Sequence, residues 1–361
     1  MQRRATYSLA LGLLLMFVSS AALAQYQLTV LDSNQFGKAT HADPLLANGW
    51  GMVHGPDTPW WVADNTSGWS TLYQGTGKQV QQLKVLIPTA GNGPDSPKGA
   101  NGPGTPTGIV FNGTANGSGE FQVEGWASIF IFATLDGTIS GWAPQSNHNQ
   151  AIIAVDTSTN ASPAVYTGLA ITNRASGNLL FAADMANNKV DVYDANFMPA
   201  KLAAGAFTDS AIPAGFAPFG IRDINGMVFV TYANVTGGTG GFVEEFTEAG
   251  IPVTPGKPLI HGSRLNQPWG ITAAPGHFGP LSNTLLISNN TNTGTINAFD
   301  PITGQFVGTV KDTNGNPIVI DQLWAIDFGD GMGSNGGVNE LFFTAGPDNN
   351  FAGEFGSIVF K

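Results

Sequence analysis

One pattern of apolar and polar positions recurs six times along the chain. Each copy begins with a turn, an aromatic or small residue, a glycine and an aliphatic residue. A continuously apolar run, a polar turn and an alternating run follow. Alternation is typical of a half-buried strand, and continuous apolarity of a strand buried on both faces. The six copies share an anchor position: Gly51, Gly108, Gly168, Gly220, Gly270 and Ala325.

Six similar units of short strands predict an all-β fold, a six-bladed β-propeller. The last unit ends after its third run, close to Lys361. An alternating strand at residues 26–31 has no unit before it. We therefore expect this N-terminal strand to complete the last blade, with residues 27–31 pairing with residues 357–360, because the pairing removes an unpaired sheet edge.

The first 24 residues have the features of a secretory signal peptide. Arg3 and Arg4 precede an apolar core at residues 9–18, and Ala22-Leu23-Ala24 is a cleavage pattern of small residues. The apolar core is shorter than a membrane span, so we expect no membrane span after cleavage. The remaining residues 25–361 are predicted to form a single propeller domain. A Gly/Pro-rich stretch at residues 88–106 is expected to be an irregular loop, either a surface excursion or a lid.

Charge and cysteine content restrict the classes of partner and compartment. The chain has 14 basic and 25 acidic residues. Cleavage would remove two basic residues, leaving 12 against 25 and a formal net charge of −13. Such a chain repels phosphate backbones, so we expect no nucleic acid partner. Export without a single cysteine fits a bacterial product, periplasmic or extracellular. A monomer is expected.

Several motifs resemble an uncharacterised secreted bacterial β-propeller family, whose members sometimes carry a PEP-CTERM sorting tail. The motifs are Asn48-Gly-Trp-Gly51, Trp60-Trp-Val-Ala-Asp-Asn65, Pro106-Thr-Gly-Ile-Val-Phe-Asn112, Ala133-Thr-Leu-Asp-Gly-Thr-Ile-Ser-Gly-Trp142 and Phe343-Thr-Ala-Gly-Pro347. The sorting tail itself is absent here. More loosely, residues 61–65 and 72–75 are similar to NHL repeats and to gluconolactonase-like six-bladed propellers. This wider resemblance implies a fold and no activity.

Polar residues at one end of the predicted blades form a candidate site. Residues before each first strand and after each second strand should share one rim of the propeller. Amide and carboxylate oxygens converging there would suit a cation such as calcium (Ca²⁺), or a polyol. The alternative is that Asp64 and Asp184 only cap turns. The candidate residues are Asn48, Asp64, Asn65, Asp184, Gln267, Asn289, Asp321 and Gln322.

Three tryptophans occupy the same register, directly before an anchor: Trp50, Trp269 and Trp324. Repetition of one residue type around a ring favours structural packing between adjacent blades. A platform that stacks on sugars is the alternative. The segment Asp327-Phe-Gly-Asp330 is interpreted as turn chemistry rather than a calcium loop, because it lacks the spacing that such a loop requires.

Three functional hypotheses follow. The leading one is a secreted binding or interaction module for an unknown ligand, carbohydrate or extracellular protein. The second is a metal-dependent, lactonase-like hydrolase that uses the central rim. The third is a purely structural envelope or matrix protein. No catalytic residues are assigned, because no nucleophile motif or histidine pair with metal-ligand spacing is present.

Overall fold

The computed structural model describes residues 25–90, 103–117 and 119–361. This part of the chain is almost entirely β-structure, and six small sheets, antiparallel except for the outermost pair of blade 6, form the six blades of a propeller. Two helical turns interrupt it, at Gly279–Leu281 and Pro347–Asn350. The predicted signal peptide and the centre of the predicted loop at residues 88–106 lie outside the described residues. The predicted six-bladed fold is confirmed.

Each blade is given from its inner strand outwards. Blade 1 comprises Gly49–Val53, Trp60–Asp64, Trp69–Tyr73 and Val85–Leu86, and blade 2 comprises Pro106–Phe111, Phe130–Thr134, Thr138–Trp142 and Ile152–Asp156, with a small inserted hairpin of Gln122–Val123 and Trp126–Ala127. Blade 3 comprises Tyr166–Ile171, Leu180–Asp184 and Lys189–Tyr193, and blade 4 comprises Phe216–Ile224, Met227–Asn234, Gly241–Thr247 and Ile260–His261. Blade 5 comprises Pro268–Ala273, Leu285–Asn289, Ile296–Phe299 and Phe306–Thr309, and blade 6 comprises Leu323–Phe328, Glu340–Ala345, Glu354–Phe360, Tyr26–Ser33 and His41–Ala42.

The N-terminal strand completes blade 6, as predicted. Tyr26–Ser33 runs antiparallel to Glu354–Phe360, with Gln27 opposite Val359 and Thr29 opposite Ser357. The register shifts by one residue between Val30 and Asp32, which is a β-bulge. Blade 6 is thus built from the two ends of the described chain. Its third strand, Glu354–Phe360, is paired on both edges and presents no unpaired sheet edge.

The inner strands form a closed ring, in which each contacts the inner strands of its two neighbours. The anchor glycines permit this proximity. A Cβ atom on Gly220 would lie 2.0 Å from the carbonyl oxygen of Trp269 in the next blade, and one on Gly270 would lie 2.6 Å from that of Trp324. No side chain fits at these separations. Glycine at these two anchors is therefore a requirement of blade-to-blade contact.

Hydroxyl groups on the second strands join neighbouring blades where the inner strands are irregular. The ladder between first and second strands shifts at the anchor, for example between Leu323 and Ile326. The freed Ala325 N–H donates to Thr344 Oγ1 at 3.1 Å, and Thr344 Oγ1 donates to the Trp50 carbonyl of blade 1 at 2.6 Å. Ser288 makes the equivalent bond from blade 5 to Trp324 of blade 6, at 2.6 Å.

Candidate functional site

The two ends of the central channel differ. We call the end where the inner strands begin the entry face, and the end where they finish the exit face. Four buried rings meet near the entry face, from blades 1, 4, 5 and 6, and we call them the aromatic plug. They are Trp50, Phe219, Trp269 and Trp324, between 3% and 8% exposed.

The plug closes the channel across its axis. Trp50 stacks on Trp324, with ring centroids 3.7 Å apart, and meets Trp269 edge-on at 6.4 Å. Blades 1 and 5 are not neighbours, so the rings pack across the ring of blades as well as between adjacent ones. The prediction covered packing between adjacent blades, and the contact between blades 1 and 5 goes beyond it. The register shift at each anchor explains the direction of the rings, since a bulge re-aims a side chain out of the regular ladder. Blades 2 and 3 carry Thr107 and Thr167 at this register, which leaves room for four rings.

Four amide residues of the predicted rim hold the plug and the turns in place. Asn48 Oδ1 accepts from Trp324 Nε1 at 2.9 Å, and Asn48 Nδ2 donates to Asn65 Oδ1 at 3.3 Å. Asn48, Gln267 and Gln322 all have φ near 50° (53°, 51° and 50°), so each makes the same left-handed step before its aromatic residue. The Gln267 and Gln322 amides bond to neighbouring loops, to the Asn234 carbonyl and to Asn292.

The remaining rim residues also bond locally. Asp184 accepts from the Asn187 side chain at 2.6 Å and from the Val165 N–H at 3.1 Å, which is the turn-capping arrangement. Asn289 accepts from the Asn266 N–H at 3.0 Å, and Asp321 accepts from the Asp348 N–H at 3.2 Å. The structure brings Asn48 and Asn65 together, and the other members bond separately to their own or neighbouring loops.

Asp64 belongs to a buried acidic cluster between blades 1 and 6. Thr71 Oγ1 lies 2.7 Å from both Asp64 Oδ2 and Tyr73 OH, and Tyr73 OH donates to Asp43 Oδ2 at 2.9 Å. Burial raises the pKa of Asp64 well above its usual range. Burial and the nearby Asp43 charge raise the pKa of Asp32 to about 7. Asp64 therefore favours its protonated form, and Asp32 does so below about pH 7.

Calcium binding at the rim stays a prediction. Within residues 25–90, 103–117 and 119–361, no group of three or more histidine, aspartate and glutamate side chains is placed to hold a metal ion. The rim oxygens of Asn48, Asp184 and Asn289 already accept protein hydrogen bonds. A cation would have to compete with these bonds.

The opposite end of the channel is open. A pocket of about 620 Å³ lies between the plug and the exit face, and all six inner strands contribute to its wall. Trp269 forms part of its floor. The wall is mainly aliphatic, and exposed residues after the inner strands surround the mouth, among them Pro56, Asn116 and Asn173. We call this space the channel pocket.

Charged groups occur at one side of the channel pocket. Arg222 lines it and donates from Nη2 to Asp327 Oδ2 at 2.5 Å. Asp223 is adjacent, and burial raises the pKa of its carboxyl group. His54 lines the mouth, with Nε2 3.0 Å from the Phe328 carbonyl and Nδ1 3.6 Å from Asp330. The arrangement combines an apolar chamber with a few hydrogen-bonding groups, as small-molecule sites do.

The sequence prediction did not include these pocket residues. Arg222 was not singled out, and Asp327 was interpreted as part of a turn, whereas its carboxylate faces the channel side of the ring and pairs with Arg222. A signal was available in the repeat itself. Both residues stand two positions after an anchor, a register that is apolar in blades 1 to 3.

Comparisons with known proteins identify relatives without assigned activity. No family model matches the chain. Two uncharacterised proteins of Acanthamoeba polyphaga mimivirus are each 28% identical to it, one over 93% of this chain and 81% of its own length, the other over 94% and 87%. A third, from the same virus, is 34% identical over 55% of this chain and 38% of its own length. These matches do not support the predicted bacterial PEP-CTERM family.

Solved propellers are similar in outline. A streptogramin B lyase structure matches with a TM-score of 0.49 and 13% identity, covering 95% of this chain and 100% of that one. The Dos1 propeller matches with a TM-score of 0.47 and 11% identity, covering 88% and 69%. At these values the similarity carries no argument about activity. Across the described ranges, no helix reaches the length and apolarity that crossing a bilayer requires. The chain is thus a β-propeller with uncharacterised relatives.

Proposed function

We propose that this protein is a binding module that holds a small molecule in the channel pocket. The observation that supports this proposal is a chamber of about 620 Å³, which is closed at one end by the aromatic plug and bordered at the other by exposed residues. This volume falls within the range of roughly 300–1,000 Å³ that small-molecule sites occupy.

The wall of the pocket supports a mainly apolar ligand. Met52, Ile109, Leu169 and Ile271 all line it, and each directly follows an anchor glycine. Transfer of apolar ligand surface into such a chamber is favourable by roughly 25 cal/mol per Å². A carbohydrate ligand would instead need more hydrogen-bonding partners than this wall supplies.

The test is binding of a neutral naphthyl ketone dye whose emission shifts to shorter wavelength in an apolar site. We expect saturable binding with a blue shift for the unmodified protein. Ile171→Trp places a large side chain at the half-buried pocket wall and should abolish binding. Val307→Trp, on the exposed outer strand of blade 5, is the matched control and should bind normally. Equal binding by both variants, or none by the unmodified protein, would contradict the proposal.

We also propose that the protein is secreted, on the strength of the signal pattern in residues 1–24. Expression of the full chain in a bacterial host, followed by N-terminal sequencing of the exported product, should give Gln25 as the first residue. Retention of the full chain inside the cell would contradict this. As part of the same proposal, we expect the protein to be a monomer and to bind an extracellular protein.

A further inference from the structure

One register of the repeat divides the channel into two unlike halves. The second position after the anchor is apolar in blades 1, 2 and 3, where it is occupied by Val53, Val110 and Ala170. The same position in blades 4, 5 and 6 is polar, and it is occupied by Arg222, Thr272 and Asp327. In a ring of similar blades, packing alone would favour similar residues at this register. The difference therefore requires another explanation.

The three polar residues form one connected group. Arg222 donates to Asp327 Oδ2 at 2.5 Å, and Thr272 Oγ1 donates to Asp327 Oδ1 at 3.0 Å. The Phe328 N–H also donates to Asp327 Oδ1, at 2.9 Å. Asp327 thus has its oxygens occupied by three donors, and its role is to orient the guanidinium group. These contacts span blades 4, 5 and 6.

Arg222 retains donors that can meet a ligand. A guanidinium group carries five N–H donors. Among the described residues, a single hydrogen bond from this side chain is recorded, the one to Asp327. Arg222 lines the channel pocket and about a third of its side chain is exposed. The pocket therefore offers oriented donors on one side and aliphatic side chains on the other.

The charges around Arg222 favour an uncharged acceptor over an anion. The Asp327 carboxylate neutralises the guanidinium, and the Asp223 carboxyl group lies beside it in the same wall. A bound carboxylate would add negative charge to a poorly hydrated chamber, with no unpaired cation to compensate. A carbonyl oxygen accepts the same hydrogen bonds without that cost.

We propose that the channel pocket selects an uncharged, mainly apolar small molecule through a carbonyl oxygen that accepts hydrogen bonds from Arg222. The apolar body of the molecule lies against Val53, Val110 and Ala170. Asp327 and Thr272 are positioning residues that orient the guanidinium group. This inference rests on the proposed function and adds the chemical class of the ligand to it.

Three probes of nearly equal shape test the inference. Acetylnaphthalene supplies a neutral carbonyl group, naphthoate supplies an anion at the same ring position, and ethylnaphthalene supplies neither. Binding is followed through tryptophan emission, because Trp269 lies in the pocket floor. We expect acetylnaphthalene to bind the unmodified protein about tenfold more tightly than ethylnaphthalene, as one hydrogen bond to a charged donor provides. We expect naphthoate to bind more weakly than acetylnaphthalene.

Substitution of Arg222 should remove the preference for the ketone and leave the hydrocarbon affinity unchanged. Arg222→Met is the first variant. The double variant Arg222→Met/Asp327→Asn removes both charges together, so that no buried carboxylate is left unpaired. Arg264→Met makes the same change outside the pocket, in the connection between blades 4 and 5, and should keep the preference. Thr272→Val should weaken the preference, and Thr272→Ser should restore it, since the hydroxyl group orients Asp327.

The outcomes separate this inference from the proposed function. Equal affinities for acetylnaphthalene and ethylnaphthalene, both lost in Ile171→Trp, would overturn carbonyl selection while the pocket remained a binding site. Tighter binding of naphthoate would overturn it as well, in favour of anion recognition. Absence of binding by all three probes would overturn the inference and the pocket together. A ketone preference that persists in both Arg222 variants would also overturn it.

Discussion

The two ends of the central channel are built from the same six strands, and they differ in the polar groups that remain free to bind a ligand. At the entry face, four aromatic rings pack against one another at no more than 8% exposure, and the amide of Asn48 accepts from Trp324. At the exit face, the same strands diverge around a pocket of about 620 Å³, where Arg222 keeps unused donors. Polar residues gathered at a rim therefore do not by themselves indicate a site. Most amides and carboxylates of the entry face take part in structural hydrogen bonds, whereas Arg222 at the exit face keeps donors for a ligand.

Loss of a plug ring should have the largest effect on stability. Trp324 is 3% exposed and stacks on Trp50, so Trp324→Ala should lower the free energy of unfolding by about 3–5 kcal/mol. Ile171→Ala, at the half-buried wall of the pocket, should cost only about 1 kcal/mol, because the lost side chain borders open space. Denaturant melts of both variants measure the difference. Similar losses at the two ends would remove the contrast between them.

The buried acids beside the entry face should make stability depend on pH. The pKa of Asp32 is about 7 in the folded protein, against 3.8 normally. The folded state therefore holds one more proton than the unfolded chain between pH 4 and 7. The free energy of unfolding should fall as pH rises through this window, by up to about 4 kcal/mol from this group. Burial also raises the pKa of Asp64, so this group adds to the effect in the same direction.

Asp32→Asn isolates that contribution. The unfolding free energy of the variant should show a flatter dependence on pH between 4 and 7 than that of the unmodified protein. Asp57→Asn, at an exposed turn, serves as the matched control and should leave the dependence unchanged. Identical pH profiles for all three proteins would show that Asp32 is ionised in the folded state.

The hydroxyl link between blades 6 and 1 should have an intermediate effect. Thr344→Val keeps the shape of the side chain and removes its bonds to the Trp50 carbonyl and the Ala325 N–H. Leaving buried polar groups unpaired costs about 1–3 kcal/mol. Thr254→Val, at an exposed position, should be close to neutral. Thermal melts compare the two, and a neutral Thr344→Val would mean that the ring does not depend on this bond.

Calcium should have the smallest effect. The rim oxygens of Asn48, Asp184 and Asn289 already accept protein hydrogen bonds, and burial favours the protonated form of Asp64. A ligand of the folded state would raise the melting temperature, and we expect about 1 mM calcium to leave it unchanged. A clear rise would reopen the predicted rim as a metal site. Asp184→Asn should then abolish the rise, and Asp156→Asn, at an exposed strand end, should not.

The repeat pattern was sufficient to predict the blades and the closing strand, because alternation and strand edges are local properties. It placed Trp50, Trp269 and Trp324 in a structural role without indicating how far their rings reach. That reach depends on the bulge at each anchor, which no propensity reveals. The sequence did not indicate the channel pocket, because the residues that resemble metal ligands, such as Asp64, lie at the other end of the channel. A comparison of registers would have singled out Arg222, since it replaces the valine or alanine of other blades.

The shared construction of blade 6 has a consequence for the order of folding. Its strand Tyr26–Ser33 is synthesised first, and its partner Glu354–Phe360 more than 300 residues later. Blades 1 to 5 consist of consecutive strands and can form as the chain emerges. The ring closes only after Glu354–Phe360 has been synthesised. Pairing between strands so far apart in sequence is slow. The strand Tyr26–Ser33 therefore stays unpaired with Glu354–Phe360 while the other blades assemble.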